Sequence, residues 1–122
     1  INGGSLSFDS TAGTISNSLI SDSYAHANGA GMHVYSTTLM LKNVSSLRNL
    51  GYWSGSCAYE YSTISERDCT YEYNTNWMGG GVYLLNSVYT VIGSIYQHNF
   101  AYWNSNGGAI DNRNSEMDVS NS

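Results

Sequence analysis

The stretch from residue 79 to residue 103 reads GGGVYLLNSVYTVIGSIYQHNFAYW and holds one full copy of a repeat. Its opening is three small residues followed by one apolar residue. This opening recurs as Gly3-Gly4-Ser5-Leu6, Gly29-Ala30-Gly31-Met32, Ser54-Gly55-Ser56-Cys57 and Gly107-Gly108-Ala109-Ile110. Successive copies lie 26, 25, 25 and 28 residues apart. Self-similarity at such a period indicates an architecture of stacked repeats.

Two further motifs agree with this register. Ile15-Ser16-Asn17-Ser18 near the start matches Val119-Ser120-Asn121-Ser122 near the end, and the offset of 104 residues is the sum of the four spacings. Asn49, Asn74 and Asn99 are 25 residues apart, and Tyr71 and Tyr96 stand three residues before the last two. One register therefore covers the whole chain.

A period of about 25 residues fits a three-sided coil in which each side is a short strand and each corner is a turn. Residues alternate between apolar and polar within a side, so every second side chain points into a narrow core. The sequence predicts an all-β parallel β-helix, or β-solenoid, with 25–28 residues and three short strands per coil. Its first core column is predicted to contain Leu6, Met32, Cys57, Val82 and Ile110.

The asparagines suit the corners of such a coil. Asparagine tolerates a left-handed backbone, and its amide can bond an asparagine in the coil above or below. One corner column is predicted to hold Asn17, Asn43 and Asn121, with Asp68 and Gly93 between them, and another to hold Asn49, Asn74 and Asn99. Asn43-Val44-Ser45 is also a glycosylation sequon. The position of Asn43 in a corner favours a ladder residue over a glycan site.

These motifs resemble those of right-handed parallel β-helices in the pectin-lyase-like superfamily. The nearest variety is the adhesin-like repeat of polymorphic outer-membrane proteins, with its GGA(I/L/V) and FxxN motifs. Gly-Gly-Ala-Ile is intact at 107–110, and tyrosine replaces phenylalanine at Tyr71 and Tyr96. The resemblance implies a right-handed coil over residues 1–122, as a single segment of about four and a half coils that start near residues 3, 29, 54, 79 and 107. It implies little about function, because this fold serves lyases, hydrolases and adhesins alike.

Composition and charge narrow the function. The chain has four Lys or Arg residues against nine Asp or Glu residues, which leaves no basic stripe for nucleic acid. No apolar stretch is long enough to span a membrane. A polar, Tyr-rich and Lys-poor composition predicts an extracellular or cell-surface setting, where Cys57 and Cys69 could form a disulfide. The alternative for this pair is two buried thiols.

No catalytic, metal or cofactor site is predicted. The nine carboxylates do not recur in adjacent coils as an acid pair would, so we interpret them as a solvated acidic face. The three histidines, His26, His33 and His98, lack the spacing of metal ligands.

Aromatic residues gather after the third strand of each coil. They form a predicted aromatic face of Tyr24, Tyr52, Trp53, Trp77, Tyr102 and Trp103. Stacked rings on a surface could bind sugar rings or another protein, and the alternative is that they pack on each other.

The sequence therefore predicts a structural or adhesive protein, part of a surface fibre or filament, rather than an enzyme. Its expected partners are adjoining solenoid coils or copies of itself, end to end, with glycans or surface proteins as further candidates. The alternative is a carbohydrate-active or carbohydrate-binding β-helix whose active turns lie outside this segment.

Overall fold

The computed structural model describes residues 4–26, 29–52, 55–77, 80–102 and 108–122. The fold is all-β, with parallel sheets stacked as a β-solenoid of about four turns. The strands in chain order are β1 (Leu6–Asp9), β2 (Ala12–Ser21), β3 (Tyr24–Ala25), β4 (Met32–Tyr35), β5 (Thr38–Leu47), β6 (Leu50–Gly51), β7 (Cys57–Glu60), β8 (Thr63–Arg67), β9 (Thr70–Glu72), β10 (Thr75–Asn76), β11 (Val82–Leu85), β12 (Val88–Ile92), β13 (Ile95–Gln97), β14 (Phe100–Ala101), β15 (Ile110–Arg113) and β16 (Glu116–Ser120).

Three parallel sheets form the sides of the solenoid. The first sheet has the order β1-β4-β7-β11-β15, and the third has the order β3-β6-β10-β14. The second sheet contains β2, β5, β8, β9, β12, β13 and β16. In coils three and four the second side is divided into two strands, at Asp68-Cys69 and at Gly93-Ser94, so these coils have four short strands instead of three.

The strand pairing has the register that the repeat predicts. Leu6 pairs with Met32, Met32 with Cys57, Cys57 with Val82, and Val82 with Ile110. The predicted first core column is thus confirmed. The side chains of this column and of the alternate positions in the other strands form one apolar core along the axis.

Each corner contains a residue with a left-handed backbone. Thirteen residues other than glycine have φ between 47° and 55°, and they fall into three columns, one per corner. The columns are Ser10, Ser36, Tyr61, Asn86 and Asn114; Asn17, Asn43, Asp68, Gly93 and Asn121; and Asp22, Arg48, Tyr73 and His98. The second is the asparagine corner predicted from the sequence, and its Gly93 has φ 67°.

The residues that follow the left-handed residues form a polar ladder at each corner, interrupted at the second corner by Val44. At the first corner the backbone N–H groups of Thr11, Thr37, Ser62 and Ser87 each donate to the hydroxyl of the next coil, ending at Ser115. At the second corner the N–H groups of Cys69 and Ser94 donate to the Ser94 and Ser122 hydroxyls. At the third corner the N–H groups of Ser23, Asn49 and Asn74 donate to the side-chain oxygens of Asn49, Asn74 and Asn99. All these bonds point in one direction along the axis.

Candidate functional site

Exposed aromatic and neutral side chains line the outer face of the third sheet and the turn after it. They form two columns, which we call the aromatic strip: Tyr24, Leu50, Thr75 and Phe100 in one, and His26, Tyr52, Trp77 and Tyr102 in the other. The short strands β3, β6, β10 and β14 fix the first column in register, because each pairs with the strand of the next coil. The two columns are two residues apart, so they project from the same face of the sheet.

The strip contains four of the six residues of the predicted aromatic face: Tyr24, Tyr52, Trp77 and Tyr102. Tyr24 pairs with Leu50, so it lies in the column next to that of the other three. By the spacing of the repeat, their position in the first coil is occupied by His26. Trp53 and Trp103, the other two members of the predicted aromatic face, lie outside the described residues.

The rings of the strip contact each other within and between coils. Tyr24 meets His26 edge to face at a centroid distance of 4.8 Å, and their Oη and Nδ1 atoms are 3.2 Å apart. Phe100 and Tyr102 repeat the edge-to-face pair at 4.8 Å. Tyr52 and Trp77 lie in adjacent coils with centroids 5.8 Å apart. The strip is therefore a fixed aromatic surface.

A shallow hollow lies between the first three coils of the strip. Its volume is about 140 Å³, and it is lined by Tyr24, Ala25, His26, Leu50, Gly51, Tyr52 and Trp77. None of these residues is Asp, Glu, Lys or Arg. In the corner just before the strip, the Arg48 guanidinium binds the Asp22 carboxylate through two bonds of 2.7 Å, and this pairing lowers the pKa of Asp22. The two charged residues in the corner before the strip are thus paired with each other.

The outer face of the first sheet carries a second polar group of residues. His33 Nε2 and Glu60 Oε1 are 3.2 Å apart, beside a hollow of about 310 Å³ that Ser7, Asp9 and Tyr35 also line. Two coils further, Arg113 reaches the Asp111 carboxylate at 3.2 Å, and its guanidinium lies 5.5 Å from the Tyr83 ring centroid. Each contact pairs one ionisable group with a neighbour, and the described residues hold no group of three His, Cys, Asp or Glu suited to a metal ion.

The sequence predicted a solvated acidic face, but two of the acidic residues are buried. Glu66 is 1 % exposed and lies in the core, where the Tyr71 and Tyr96 hydroxyls donate to its carboxylate at 2.5 and 2.7 Å. The Tyr89 hydroxyl makes a third, short bond to the same group. Asp111 is fully buried through its contact with Arg113. For these two residues the interpretation as a solvated face is wrong.

The two cysteines are buried thiols in the structure. Burial raises the pKa of Cys57 to about 12 and that of Cys69 to about 11. Both thiols sit in the core cluster, and Cys69 also accepts a weak bond from the Val44 N–H at 3.5 Å.

The predicted asparagine columns differ in burial. Asn49 and Asn74 are fully buried, and their amides bond in series with Asn99 at 3.0 Å. At the second corner Asn43 is exposed, and its amide donates to Asn17 Oδ1 at 2.9 Å. The Asn43 side chain is thus engaged in a ladder while it remains at the surface.

The fold and its surfaces define the class of the protein as a parallel β-solenoid with polar corner ladders and an exposed aromatic strip. The described residues contain no helix with the length and hydropathy needed to cross a membrane. Comparisons with known protein families, with curated proteins and with solved structures gave no match to this chain.

Proposed function

We propose that this chain is a structural and adhesive segment of an elongated extracellular or cell-surface β-solenoid. In this proposal each end surface of the segment joins a further coil, which belongs either to a longer chain or to a second copy. The observation that carries the proposal is the common direction of the corner ladders, which makes the two end surfaces complementary.

The ladder chemistry supports the joining of coils end to end. Every coil donates corner N–H groups to side chains of the next coil, and the last described acceptors are Ser115 and Ser122. Their own N–H groups occupy the donor positions for a following coil. Thr11 and Ser18 of the first coil occupy the corresponding acceptor positions. A coil with the pattern of the first would therefore continue both ladders after the last.

The first coil also presents apolar surface at its end. A cleft of about 510 Å³ is lined by side chains of this coil alone, including Leu6, Phe8, Ile15 and Ile20. Leu19, which also lines the cleft, is 63 % exposed. A further coil would cover these side chains as the second coil covers those of the first, and burial of apolar area is favourable.

Lysine and proline, two of the devices that protect edge strands against pairing, are missing from the strands of the first and last coils. Proteins discourage edge-to-edge pairing with lysine, proline or a covering element. The whole chain has no proline, and its one lysine, Lys42, lies in β5 in the second coil. Such edge strands favour pairing with the strands of a further coil.

The adhesive and extracellular parts of the proposal rest on the sequence motifs and on the aromatic strip. The Gly-Gly-Ala-Ile and Tyr-x-x-Asn motifs resemble the adhesin-like repeats of polymorphic outer-membrane proteins in the pectin-lyase-like superfamily. Repeats of that kind form rigid stalks that display a surface along their length.

Light scattering and electron microscopy of the purified chain test the proposal. We expect the chain to associate into elongated particles whose mass rises with concentration. Leu19→Lys places a charge in the end cleft and should keep the chain monomeric. Met40→Lys, at a position 52 % exposed in the second coil, is the matched control and should associate like the original chain. A monomeric original chain, or equal behaviour of the two variants, would contradict the complementarity of the two end surfaces, on which the proposal rests.

A further inference from the structure

We infer that the aromatic strip binds a neutral carbohydrate, with the pyranose rings of a short oligosaccharide lying on its exposed rings. This inference names a ligand class for the adhesive part of the proposed function and rests on that part. It does not depend on the association of coils end to end.

The exposure of the strip is the first argument. Tyr102 is 66 % exposed, Tyr24 58 % and Phe100 54 %, although each has an apolar ring that burial would stabilise. Large aromatic side chains usually contribute to cores or to interfaces. Here the rings recur in register on a rigid parallel sheet, so their spacing is set by the backbone.

The strip also has polar atoms that can bind the hydroxyl groups of a sugar. A pyranose has apolar C–H faces and hydroxyl groups at its rim, so it needs an aromatic ring beside a few donors and acceptors. Small-ligand sites have this composition in general. In the strip, the Tyr24 hydroxyl is held 3.2 Å from His26 Nδ1 at the edge of the 140 Å³ hollow. The hollow thus combines ring faces with fixed polar atoms.

The charge of the strip selects neutral over acidic glycans. Its eight residues include no Lys or Arg, and the whole chain has a net charge of −5. The Arg48 guanidinium in the preceding corner is already bound to Asp22 through two bonds of 2.7 Å. A uronic or sialic acid would find no free cation here and would be repelled by the field of the chain.

The size of the strip favours a glycan over a protein partner. Four rows at the ~4.8 Å spacing of adjacent strands extend ~14 Å along the axis, and the two columns lie ~7 Å apart. The resulting footprint is on the order of 100–200 Å², whereas a standard protein interface covers about 800 Å² per partner. A chain of sugar rings along the axis fits this narrow surface.

Isothermal titration of the Leu19→Lys variant with defined glycans tests the inference, because that variant separates binding from end-to-end association. The probes are neutral oligomers of β-1,4-linked glucose, β-1,4-linked N-acetylglucosamine and mannose, with oligogalacturonate as the acidic probe. We expect binding to at least one neutral oligomer and none to oligogalacturonate. Tyr102→Ala should weaken the binding about tenfold, the loss expected for one stacked ring.

Tyr61→Ala is the matched control, since Tyr61 is 54 % exposed but lies at the first corner, away from the strip. It should leave the affinity unchanged, and circular dichroism should show that both variants are folded. Trp77→Ala provides a second strip variant in case Tyr102→Ala fails to fold.

Failure to bind any neutral oligomer, preference for oligogalacturonate, or equal loss in Tyr61→Ala would overturn the inference. So would capture of a purified surface protein that Tyr102→Ala abolishes while no glycan binds. If glycans fail to bind and the original chain still forms elongated particles, the structural part of the proposed function stands without this ligand.

Discussion

Glu66 is an acidic residue that lies buried in an otherwise apolar core. A carboxylate in an apolar core is costly unless hydrogen-bond donors compensate for the lost water. Here three phenolic hydroxyls, from Tyr71, Tyr89 and Tyr96, donate to it. The sequence offered a signal, because Glu66 pairs in register with the apolar Leu41 and Val91. In the sequence alone, however, an acidic residue only two positions from Asp68 is typical of an exposed surface.

We predict that Glu66→Ala destabilises the fold by about 2–5 kcal/mol, the range for a large buried side chain replaced by alanine. The substitution leaves three buried hydroxyls without their acceptor and opens a cavity. Glu116→Ala, at an exposed position, is the control and should change the free energy of unfolding by less than about 0.5 kcal/mol. Urea unfolding curves measure both, and similar losses would contradict the cluster.

The same cluster predicts an alkaline limit to stability. Burial, followed by the charge of Glu66, raises the pKa of Tyr71, Tyr89 and Tyr96 above the ordinary value. Because the folded-state pKa exceeds the unfolded value of about 10, the stabilisation is complete below that pH and is lost as the pH rises beyond it.

In a spectrophotometric titration, the buried Tyr71, Tyr89 and Tyr96 should ionise only above the ordinary pKa of tyrosine, in a cooperative step that coincides with loss of the β-sheet circular dichroism signal. A single transition of all the tyrosines with unchanged circular dichroism would refute the buried cluster.

The cysteines lead to a prediction about reactivity. Thiolate is the reactive form, and the raised pKa values of about 12 for Cys57 and about 11 for Cys69 leave little of it at neutral pH. We expect both thiols to resist alkylation in the folded chain and to react fully in urea. Mass spectrometry counts the labels, and rapid modification of the folded chain would contradict the buried positions.

At the scale of elements, the corners explain how such short strands are held in register. Each corner combines a left-handed residue with a polar side chain that accepts an N–H bond from the preceding coil. The asparagine ladder was predictable because one residue type recurs every 25 positions. The ladder through Thr37, Ser62 and Ser87 was not predicted, since serine is common throughout the chain and its ladder positions look like any others.

Asn74, in the middle of the asparagine ladder, bonds to the asparagines of both neighbouring coils. Asn74 Oδ1 accepts from the Asn49 backbone and amide at 3.0 Å, and its own amide donates to Ser46 O at 2.9 Å. Asn74→Ala leaves buried groups unsatisfied, so we predict a loss of about 3 kcal/mol. The exposed Asn112→Ala should cost less than about 0.5 kcal/mol. Thermal or urea unfolding compares the two, and equal losses would exclude an energetic role for the ladder.

The aromatic strip could be predicted only in part from the sequence. The rows of Tyr52, Trp77 and Tyr102 were visible because aromatic residues recur at one repeat position. In the first coil this position is occupied by His26, and Tyr24 lies two residues before it in the neighbouring column. The burial of Glu66 could be predicted only from its apolar column, whereas Asp111 pairs with Tyr83 and contacts Arg113 in its own strand, which carries no repeat signal.

At the scale of the whole molecule, the parallel register followed from the repeat alone. Two motifs with one common offset fix which residues stack, and stacking fixes the sheets. The function does not follow as directly. The fold determines the direction of the ladders, but it does not determine which coil continues them. The central claim of the proposed function is that a following coil meets the first coil in the same register as the coils within the chain.

Cysteine cross-linking between two single variants tests this claim most directly. Ala12, Thr38, Thr63, Val88 and Glu116 form one exposed column in consecutive coils. In a head-to-tail stack, Ala12 of one copy follows Glu116 of another at ~4.8 Å, within the range of a disulfide. The double variant Thr63→Cys, Val88→Cys is the positive control, because this pair is adjacent within one chain.

After mild oxidation of an equal mixture of Ala12→Cys and Glu116→Cys, peptide mass spectrometry identifies the bridges that form. We predict that the bridge between positions 12 and 116 predominates, and that neither variant alone forms a comparable dimer. Bridges of position 12 with 12 or 116 with 116 in equal amounts, or none while the control pair closes, would contradict the head-to-tail register.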